Sequence, residues 1–430
     1  MRRNFLLSLS CMFVMSFTAA VYADEDADII SRAIPSVVLI KGENGKYING
    51  FFVDDDGGIL TTYHDLDYAM DTEITLHDNR TLKGSIAYED RDRDIAFIVL
   101  DSPINIPFLK IAGSNAKDNG RRIALGDSAL INENGEITGI ITSGDIILSP
   151  DVLKEFINVP YVLRLSETGT PEQLREALRA GYNFNIQGHL YDNRHEDYYC
   201  FDFETPLHRA AYFNSNPESI GFLISQGLDL NEVASCGNTV TETPLSIAIR
   251  ERNITAFNEL LKAGADPNDF ADDYNASLFH IVASSYRNYH DAKFVIDSLV
   301  KAGGNVNQHY NFTREEEREL REYGEPSGFR IEWTPEDPIG EAIFLLSHAG
   351  RGNFMSSFTP LMFAVLYDNA DVLNILLDHG ADPNIRSLEK KTALDYAKFL
   401  PKDSKIKTSS AFKRLKNKTK TSGRKTQKKH

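Results

Sequence analysis

Cysteine is scarce in the sequence, which leaves few possible disulfide cross-links. The 430 residues include three cysteines and one tryptophan. No group of His, Cys and Asp residues has the spacing of metal ligands, and no glycine-rich loop suits a nucleotide. We therefore expect neither a metal site nor a cofactor.

Long apolar runs are also scarce, and the one that is present lies at the N-terminus. Arg2 and Arg3 precede an apolar run that ends near Ala20, and a small-x-Ala sequence follows at residues 21–23. This order is typical of a secretory signal peptide that is removed after Ala23. A retained anchor helix is the alternative, but the run is short for a membrane span. We expect a soluble protein that is exported to the periplasm or secreted.

Two cysteines, Cys200 and Cys236, remain beyond this leader. An oxidising compartment would permit them to form a disulfide. They occupy equivalent loops of the neighbouring repeats described below, which could bring them close together. Two free thiols are the alternative, since stacked loops can hold the Cα atoms too far apart to bridge.

Positive charge is scarce except at the C-terminus. The chain has 46 Lys and Arg residues against 62 Asp and Glu residues, yet residues 401–430 hold 12 basic residues and one acidic residue. An acidic body argues against nucleic acid as the main partner. Residues 401–430 are predicted to be a disordered basic tail. This tail is either a solvated extension or an arm that adheres to an anionic surface.

Short apolar runs separated by turn residues predict β-strands between residues 27 and 112. Each run is rich in Val, Ile, Phe and Thr, and glycine, asparagine or aspartate interrupts the series. Six strands at this spacing predict a closed or nearly closed antiparallel barrel. The predicted strands are Val37–Ile40, Phe51–Val53, Ile59–Thr62, Ile74–Leu76, Ser85–Ala87 and Ile95–Leu100.

Two polar residues flank these strands in a family pattern. His64 ends a strand that follows a glycine turn, and Asp94 precedes the sixth apolar run. The segments around them, with residues 106–111 and 122–126, resemble the trypsin-like serine peptidases of the HtrA type. The resemblance implies that His64 is a general base and that Asp94 orients its imidazole. We expect this peptidase-like domain to span residues 24–160.

The serine expected to complete the triad lies in an altered segment. Ser128 follows a Gly-Asp pair, as in the family's serine loop, but Ala129 and Leu130 stand where the family has two glycines. Only 34 residues separate Asp94 from Ser128, whereas the family places several more strands there. The resemblance therefore implies an incomplete second barrel. Ser128 could belong to either side of the deletion, so its equivalence to the nucleophile stays open.

These losses predict a domain that does not cleave peptides. Hydrolysis needs backbone N–H groups of the serine loop as an oxyanion hole, and loss of one such donor costs about 3 kcal/mol of barrier. Residues with a Cβ resist the unusual backbone that the glycines allow. The alternative is an active serine endopeptidase that uses His64, Asp94 and Ser128.

From about residue 165 the pattern becomes helical and repeats itself. Thr-Pro-Leu-like starts alternate with Gly-Ala-Asp-Pro-Asn-like turns, and the pairing resembles ankyrin repeats over residues 165–400. Thr or Ser caps each first helix, and Gly permits a left-handed end to each second helix. His208, His280 and His379 are interpreted as structural. The predicted helix starts are Thr205, Thr243, Ser277, Thr359 and Thr392, with partial capping repeats at residues 170–185 and 392–400.

One large insertion, residues 308–357, is expected to disrupt the stack. It contains a predicted charged helix from Thr313 and the single tryptophan, Trp333. It is either a locally packed excursion or an additional binding element.

The two resemblances together imply a multidomain protein, an all-β trypsin-like domain followed by an all-α ankyrin solenoid. Ankyrin arrays bind other proteins through a concave face and carry no chemistry of their own. The preferred hypothesis is an exported protein-binding scaffold with a degenerate peptidase domain. An active peptidase whose repeats recruit substrate is the second hypothesis. An effector delivered into another cell is the third.

Overall fold

The computed structural model forms two compact units. One comprises residues up to Arg164 together with 181–200, and the other comprises residues 165–180 and 201–430. No helix among the described residues is both long and apolar enough to cross a bilayer. The structure describes residues 24–42, 45–54, 57–64, 66, 72–102, 104, 106–113, 122–125, 128–143, 146–188, 204–236, 240–269, 276–309, 358–387 and 390–426.

The first unit contains a closed antiparallel barrel of six strands in the order β1-β2-β3-β6-β5-β4. Helix α1 (Asp24–Ala33) and a short 3-10 turn (Ile34–Ser36) precede it. The six strands and the closed barrel expected from the sequence are confirmed. The strands are β1 (Val37–Lys41), β2 (Tyr47–Phe52), β3 (Ile59–Thr62), β4 (Thr72–Leu76), β5 (Thr81–Asp90) and β6 (Ile95–Leu100).

Strand β6 is buried along its whole length because both of its faces are covered. Ala96, Ile98 and Leu100 lie in the core inside the barrel. Ile95, Phe97 and Val99 alternate with them and lie in a second core. This strand therefore joins the barrel to the layer that carries the rest of the site.

The second core is built by a smaller sheet and a long helix. Strands β7 (Ile123–Leu125), β8 (Ala129–Ile131), β9 (Ile137–Ile141) and β10 (Ile147–Leu148) form a sheet in the order β10-β9-β8-β7. Helix α2 (Pro150–Thr168) follows, and its Leu153 and Phe156 are buried in the same core. The described residues of this second layer thus form a four-stranded sheet.

A buried ion pair attaches α2 to the glycine turn of the first barrel. Arg164 Nη1 lies 2.9 Å from Asp54 Oδ2, and both side chains are at most 5% exposed. Asp54 Oδ1 also accepts the Gly58 N–H at 2.6 Å. A Cβ on Gly58 would lie 2.3 Å from the Phe97 ring, so this turn requires glycine.

The second unit is a stack of helix pairs. Its first helices contact one another in the order α4, α6, α8, α10, α12, so the stack is continuous along the chain. A small hairpin, β11 (Ala234–Cys236) with β12 (Val240–Glu242), lies between two of the repeats. The helices are α3 (Pro171–Arg179), α4 (Pro206–Phe213), α5 (Pro217–Ser225), α6 (Pro244–Arg250), α7 (Ile254–Ala263), α8 (Leu278–Ser285), α9 (Tyr289–Lys301), α10 (Pro360–Leu366), α11 (Ala370–Asp378) and α12 (Ala393–Ala397).

The predicted cap residues stand at the N-termini of the first helices. His208 and His280 are structural, as expected. The Nδ1 of each bonds the preceding cap residue, and Nε2 of His208 lies 3.0 Å from the Glu232 carbonyl oxygen. Burial lowers the pKa of His208 to about 4 and that of His280 to about 3. Both rings are therefore neutral links between neighbouring repeats.

The insertion does not disrupt the stack, contrary to the expectation from the sequence. Helix α8 contacts α10 directly, although about 75 residues separate them along the chain. His280 Nε2 lies 3.1 Å from the Phe358 carbonyl oxygen, and Asn369 Nδ2 donates to the Tyr286 carbonyl at 2.7 Å. These bonds join the two repeats because the ends of the insertion lie at a loop between them. Residues 310–357 lie outside the described residues.

The prediction of a disordered tail is wrong for residues 405–426. They form helices α13 (Lys405–Thr408) and α14 (Ser410–Thr426). Ile406, Ala411 and Leu415 are fully buried, and α14 contacts α11 and α12. Ala411 and Leu415 are four residues apart and share one side of α14, and burial of that side stabilises the helix.

Two further sequence predictions lie outside the described residues. These are the leader (residues 1–23) and the side chains that would form the Cys200–Cys236 disulfide.

Candidate functional site

His64 and Asp94 are brought together at the end of the first barrel. His64 follows β3 and Asp94 precedes β6, and these two strands pair antiparallel with Thr62 opposite Ile95. His64 Nδ1 lies 2.8 Å from Asp94 Oδ2 and 3.0 Å from Oδ1. Sheet pairing therefore sets the distance between an imidazole and a carboxylate that are thirty residues apart in sequence.

The Asp94 carboxylate is held by several donors. The backbone N–H of His64 donates to Oδ1 at 2.8 Å, and the backbone N–H of Ser143 donates to Oδ2 at 2.7 Å. Asp94 has a left-handed backbone, with φ of 56°, a conformation that aspartate tolerates better than most residues. Burial raises the pKa of Asp94, but hydrogen bonds from Ser143 and His64 outweigh it, so the pKa is lower than usual. The carboxylate is thus kept ionised.

This pair has the arrangement of a base and the group that orients it. A carboxylate at Nδ1 selects the tautomer in which Nδ1 carries the proton and Nε2 is the acceptor. The His64 side chain is 44% exposed, whereas that of Asp94 is 11% exposed. The imidazole is therefore accessible and its carboxylate partner is shielded.

Ser128 lies on the neighbouring sheet, in the connection between β7 and β8. Its carbonyl accepts the Ile141 N–H at 2.9 Å, two residues before the Ser143 that binds Asp94. Strand β8 begins at Ala129, and Leu125 pairs with Ala129. The whole connection is thus three residues long. Two of them, Gly126 and Asp127, lie outside the described part of the chain.

Sequence reasoning missed Ser143. It follows β9 by two residues and reaches Asp94 because β9 contacts β3. Its signal in the sequence was local and weak, a Thr-Ser pair that directly follows Gly-Ile-Ile at residues 139–141. Among the described residues, no group of three or more His, Cys, Asp or Glu side chains could hold a metal ion.

Comparison with known families agrees with this geometry. Residues 48–154 match the trypsin-like peptidase domain model. Residues 166–271 and 355–397 match two ankyrin-repeat models. The chain joins a trypsin-like peptidase domain to ankyrin repeats.

Individual relatives resemble one part of the chain or the other. A probable periplasmic serine endoprotease DegP-like of Halomonas elongata is 28% identical over 123 residues, which are 29% of this chain and 26% of that protein. The mitochondrial disaggregase of Homo sapiens is 31% identical over 198 residues, 45% of this chain and 24% of that protein. The putative palmitoyltransferase ZDHHC13 of Danio rerio is 24% identical over 239 residues, 55% of this chain and 32% of that protein. The chain spans about a third or less of the length of these relatives.

Proposed function

We propose that this protein is an exported protein-binding scaffold in which the ankyrin repeats hold a partner protein and the trypsin-like domain does not cleave. The two domain types support this combination, since ankyrin arrays bind proteins. Export is proposed from the leader at residues 1–23, and it agrees with the periplasmic location in the name of the Halomonas relative.

The connection at Ser128 is the observation that carries the proposal. Leu125 pairs with Ala129, so the chain turns from β7 into β8 through three residues. A nucleophile loop must also direct backbone N–H groups at the oxyanion, and in this family two glycines after the serine allow that backbone. Here Ala129 already belongs to a strand and is fully buried. Ala129 therefore has the extended backbone of a strand where the family has the first of two glycines, and its Cβ restricts the backbone next to Ser128.

The sheet behind Ser128 supports the same proposal. In the described part of the second barrel, four strands pack on the first barrel through one shared core. A specificity pocket and a fixed nucleophile both need a rigid surrounding wall, because small displacements of reacting groups cost large factors in rate. A shortened barrel supplies less of that wall.

An active serine endopeptidase is the second candidate, and one observation favours it. The His64–Asp94 pair is fully formed, with Asp94 held by both His64 and Ser143. Under this candidate, Ser128 would transfer its proton to His64 and attack a peptide carbonyl. The ankyrin array would then recruit the substrate.

Proteolysis of unfolded casein by the purified mature protein separates the two candidates. Under the scaffold proposal, the wild-type rate equals that of the His64→Ala and Ser128→Ala variants. Cleavage by the wild-type that both variants lose would establish the peptidase. His77→Ala is the matched control, because His77 is an exposed histidine of the same domain.

Site-specific crosslinking tests the binding half of the proposal. A photoreactive residue at Tyr212, half-buried at the end of first helix α4, should capture a partner protein in the native compartment. The same residue at Phe222, on second helix α5, should not. Equal capture at both positions would contradict binding through the first helices.

A further inference from the structure

Positive charge is concentrated at the C-terminal end of the repeat stack. Residues 386–430 contain 16 Lys and Arg residues and three acidic residues, in a chain that is acidic as a whole. The described residues of this segment form the last loop, α12, α13 and α14. The excess of positive over negative charge therefore lies at the C-terminal end of the array.

Contacts with the last repeats hold the tail helices in place. The Asp368 carboxylate accepts the backbone N–H groups of Lys405 and Ile406 at 2.7 and 2.9 Å. Arg414 forms an ion pair with Asp378, and the apolar side of α14 packs on the last repeat. Lys413 and Lys416 lie on the other side of α14 and are exposed.

An exposed aromatic ring lies within this basic region. Phe399 is 57% exposed, whereas Tyr47, the next most exposed aromatic residue in the described part of the chain, is 46% exposed. The Lys391 Nζ lies 5.4 Å from the centre of its ring. Lys407 Nζ donates to the carbonyls of Lys398 and Leu400, on either side of Phe399. Lysines therefore surround a large apolar side chain that the fold leaves in solvent.

We propose that this C-terminal basic surface, formed by Lys391, Phe399, Lys402, Lys405, Lys413 and Lys416, binds the surface of a bilayer that contains anionic lipids. Lysines beside an aromatic ring suit the headgroup layer, where the cations meet lipid phosphates and the ring enters the boundary with the acyl chains. The proposal concerns peripheral binding and is independent of whether the peptidase domain cleaves.

The aromatic content favours a bilayer over nucleic acid. Proteins that hold single strands stack successive bases on several exposed rings. Of the other aromatic residues in this region, Tyr396 is 2% exposed and Phe412 is partly buried. Phe399 is therefore the one largely exposed ring among the described residues of 386–426. One ring among lysines fits a headgroup layer better than a series of bases.

Co-sedimentation of the full mature protein with lipid vesicles tests the proposal. We expect binding to phosphatidylcholine vesicles that contain phosphatidylglycerol, weaker binding as salt increases, and no binding to pure phosphatidylcholine vesicles. The double variant Lys413→Glu with Lys416→Glu should weaken binding by at least about 25-fold, at about fivefold per charge. Phe399→Ala should weaken it by about fivefold at the same net charge.

Matched variants on another repeat distinguish this surface from general charge effects. Lys301→Glu and Phe294→Ala alter an exposed lysine and a 43% exposed phenylalanine on α9, and both should bind as the wild-type does. Far-UV circular dichroism and thermal unfolding check that each variant is folded. Absence of binding to anionic vesicles, or equal binding by wild-type and the Lys413/Lys416 variant, would overturn the proposal. Tighter binding to a DNA duplex than to the vesicles would also overturn it.

Discussion

At the scale of single residues, Asp94 links the two sheets of the peptidase domain. It lies between the barrels and accepts hydrogen bonds from His64 on one side and Ser143 on the other. These bonds stabilise the fold whether or not the domain cleaves peptides. The carboxylate therefore has a structural role that is separate from catalysis.

Replacement of Asp94 by alanine should destabilise the peptidase domain by about 1–3 kcal/mol, because the part-buried N–H groups of His64 and Ser143 lose a charged acceptor. Urea unfolding followed by circular dichroism measures this, with exposed Asp101→Ala as the control. The pKa of Asp94 is lowered in the fold, so its contribution is complete above the ordinary pKa of about 4 and is lost as pH falls further. A change under about 0.5 kcal/mol at neutral pH would contradict this role.

The buried histidines predict a pH dependence for the repeats. His208 and His280 have pKa values of about 4 and about 3 because burial disfavours their charged forms. Unfolding restores the ordinary pKa of about 6.5, so the unfolded state binds more protons and stability falls as pH decreases below that value. Each histidine should remove roughly 2 kcal/mol between pH 7.5 and pH 5.

Urea titrations of the full chain at the two pH values measure this effect. His280→Gln should unfold more readily at pH 7.5 but should lose less stability on acidification. His77→Gln, an exposed control in the other unit, should keep the wild-type pH dependence. If the ankyrin repeats unfold at the same urea midpoint at both pH values, the histidines do not titrate as described.

At the scale of elements, local patterns were predictable and distant contacts were not. The strands of the first barrel followed from alternating apolar residues and glycine turns, and the repeat helices from Thr-Pro starts. The His64–Asp94 pair followed from its family resemblance. The role of Ser143 and the Asp54–Arg164 pair could not be predicted. Each depends on contact between elements that are far apart in the sequence.

Two predictions at this scale, the disordered tail and the disrupted stack, are wrong because each was based on composition or length alone. The excess of lysine over apolar residues predicts a disordered tail, yet Ile406 on α13 and Ala411 and Leu415 on α14 are fully buried. The insertion was expected to disrupt the stack because of its length. Stacking depends instead on the cap and bridging residues on each side, and His280 and Asn369 keep them aligned.

Helix α2 should depend on its buried ion pair. Replacement of Asp54 by alanine leaves Arg164 buried beside the Phe97 ring without this carboxylate, and such a loss costs about 3–5 kcal/mol. Arg93→Ala breaks the exposed pair with Glu155 on the same helix and should cost under about 1 kcal/mol. Equal urea midpoints for the two variants would contradict the structural role of the buried pair.

The tail helix should act as the C-terminal cap of the repeat stack. Leu415→Ala removes a fully buried side chain and should destabilise the repeat unit by about 2–4 kcal/mol. Lys416→Ala, one residue further on the exposed side, should change it by less than about 0.5 kcal/mol. Hydrogen exchange of α11 and α12 locates the effect. Unchanged protection of these helices in Leu415→Ala would show that the tail does not stabilise them.

At the scale of the whole molecule, two domain types with different requirements lie in one chain. The ankyrin repeats need only stacking to present a binding face, and their stack is continuous across a long insertion. A peptidase needs two complete barrels that position three side chains and an oxyanion hole. The chain keeps the first barrel with its His64–Asp94 pair and a shortened second sheet. Under the proposed function, binding therefore has fewer structural requirements than cleavage.

Fluorophosphonate labelling, read by intact mass, tests the absence of an activated nucleophile most directly. The reagent needs a serine hydroxyl beside a general base, and it needs no substrate pocket. We predict that the mature protein gains no adduct under conditions that fully label trypsin. The treated Ser128→Ala variant should likewise have the same mass as the untreated variant. One adduct per chain on the wild-type, absent from both Ser128→Ala and His64→Ala, would contradict the account.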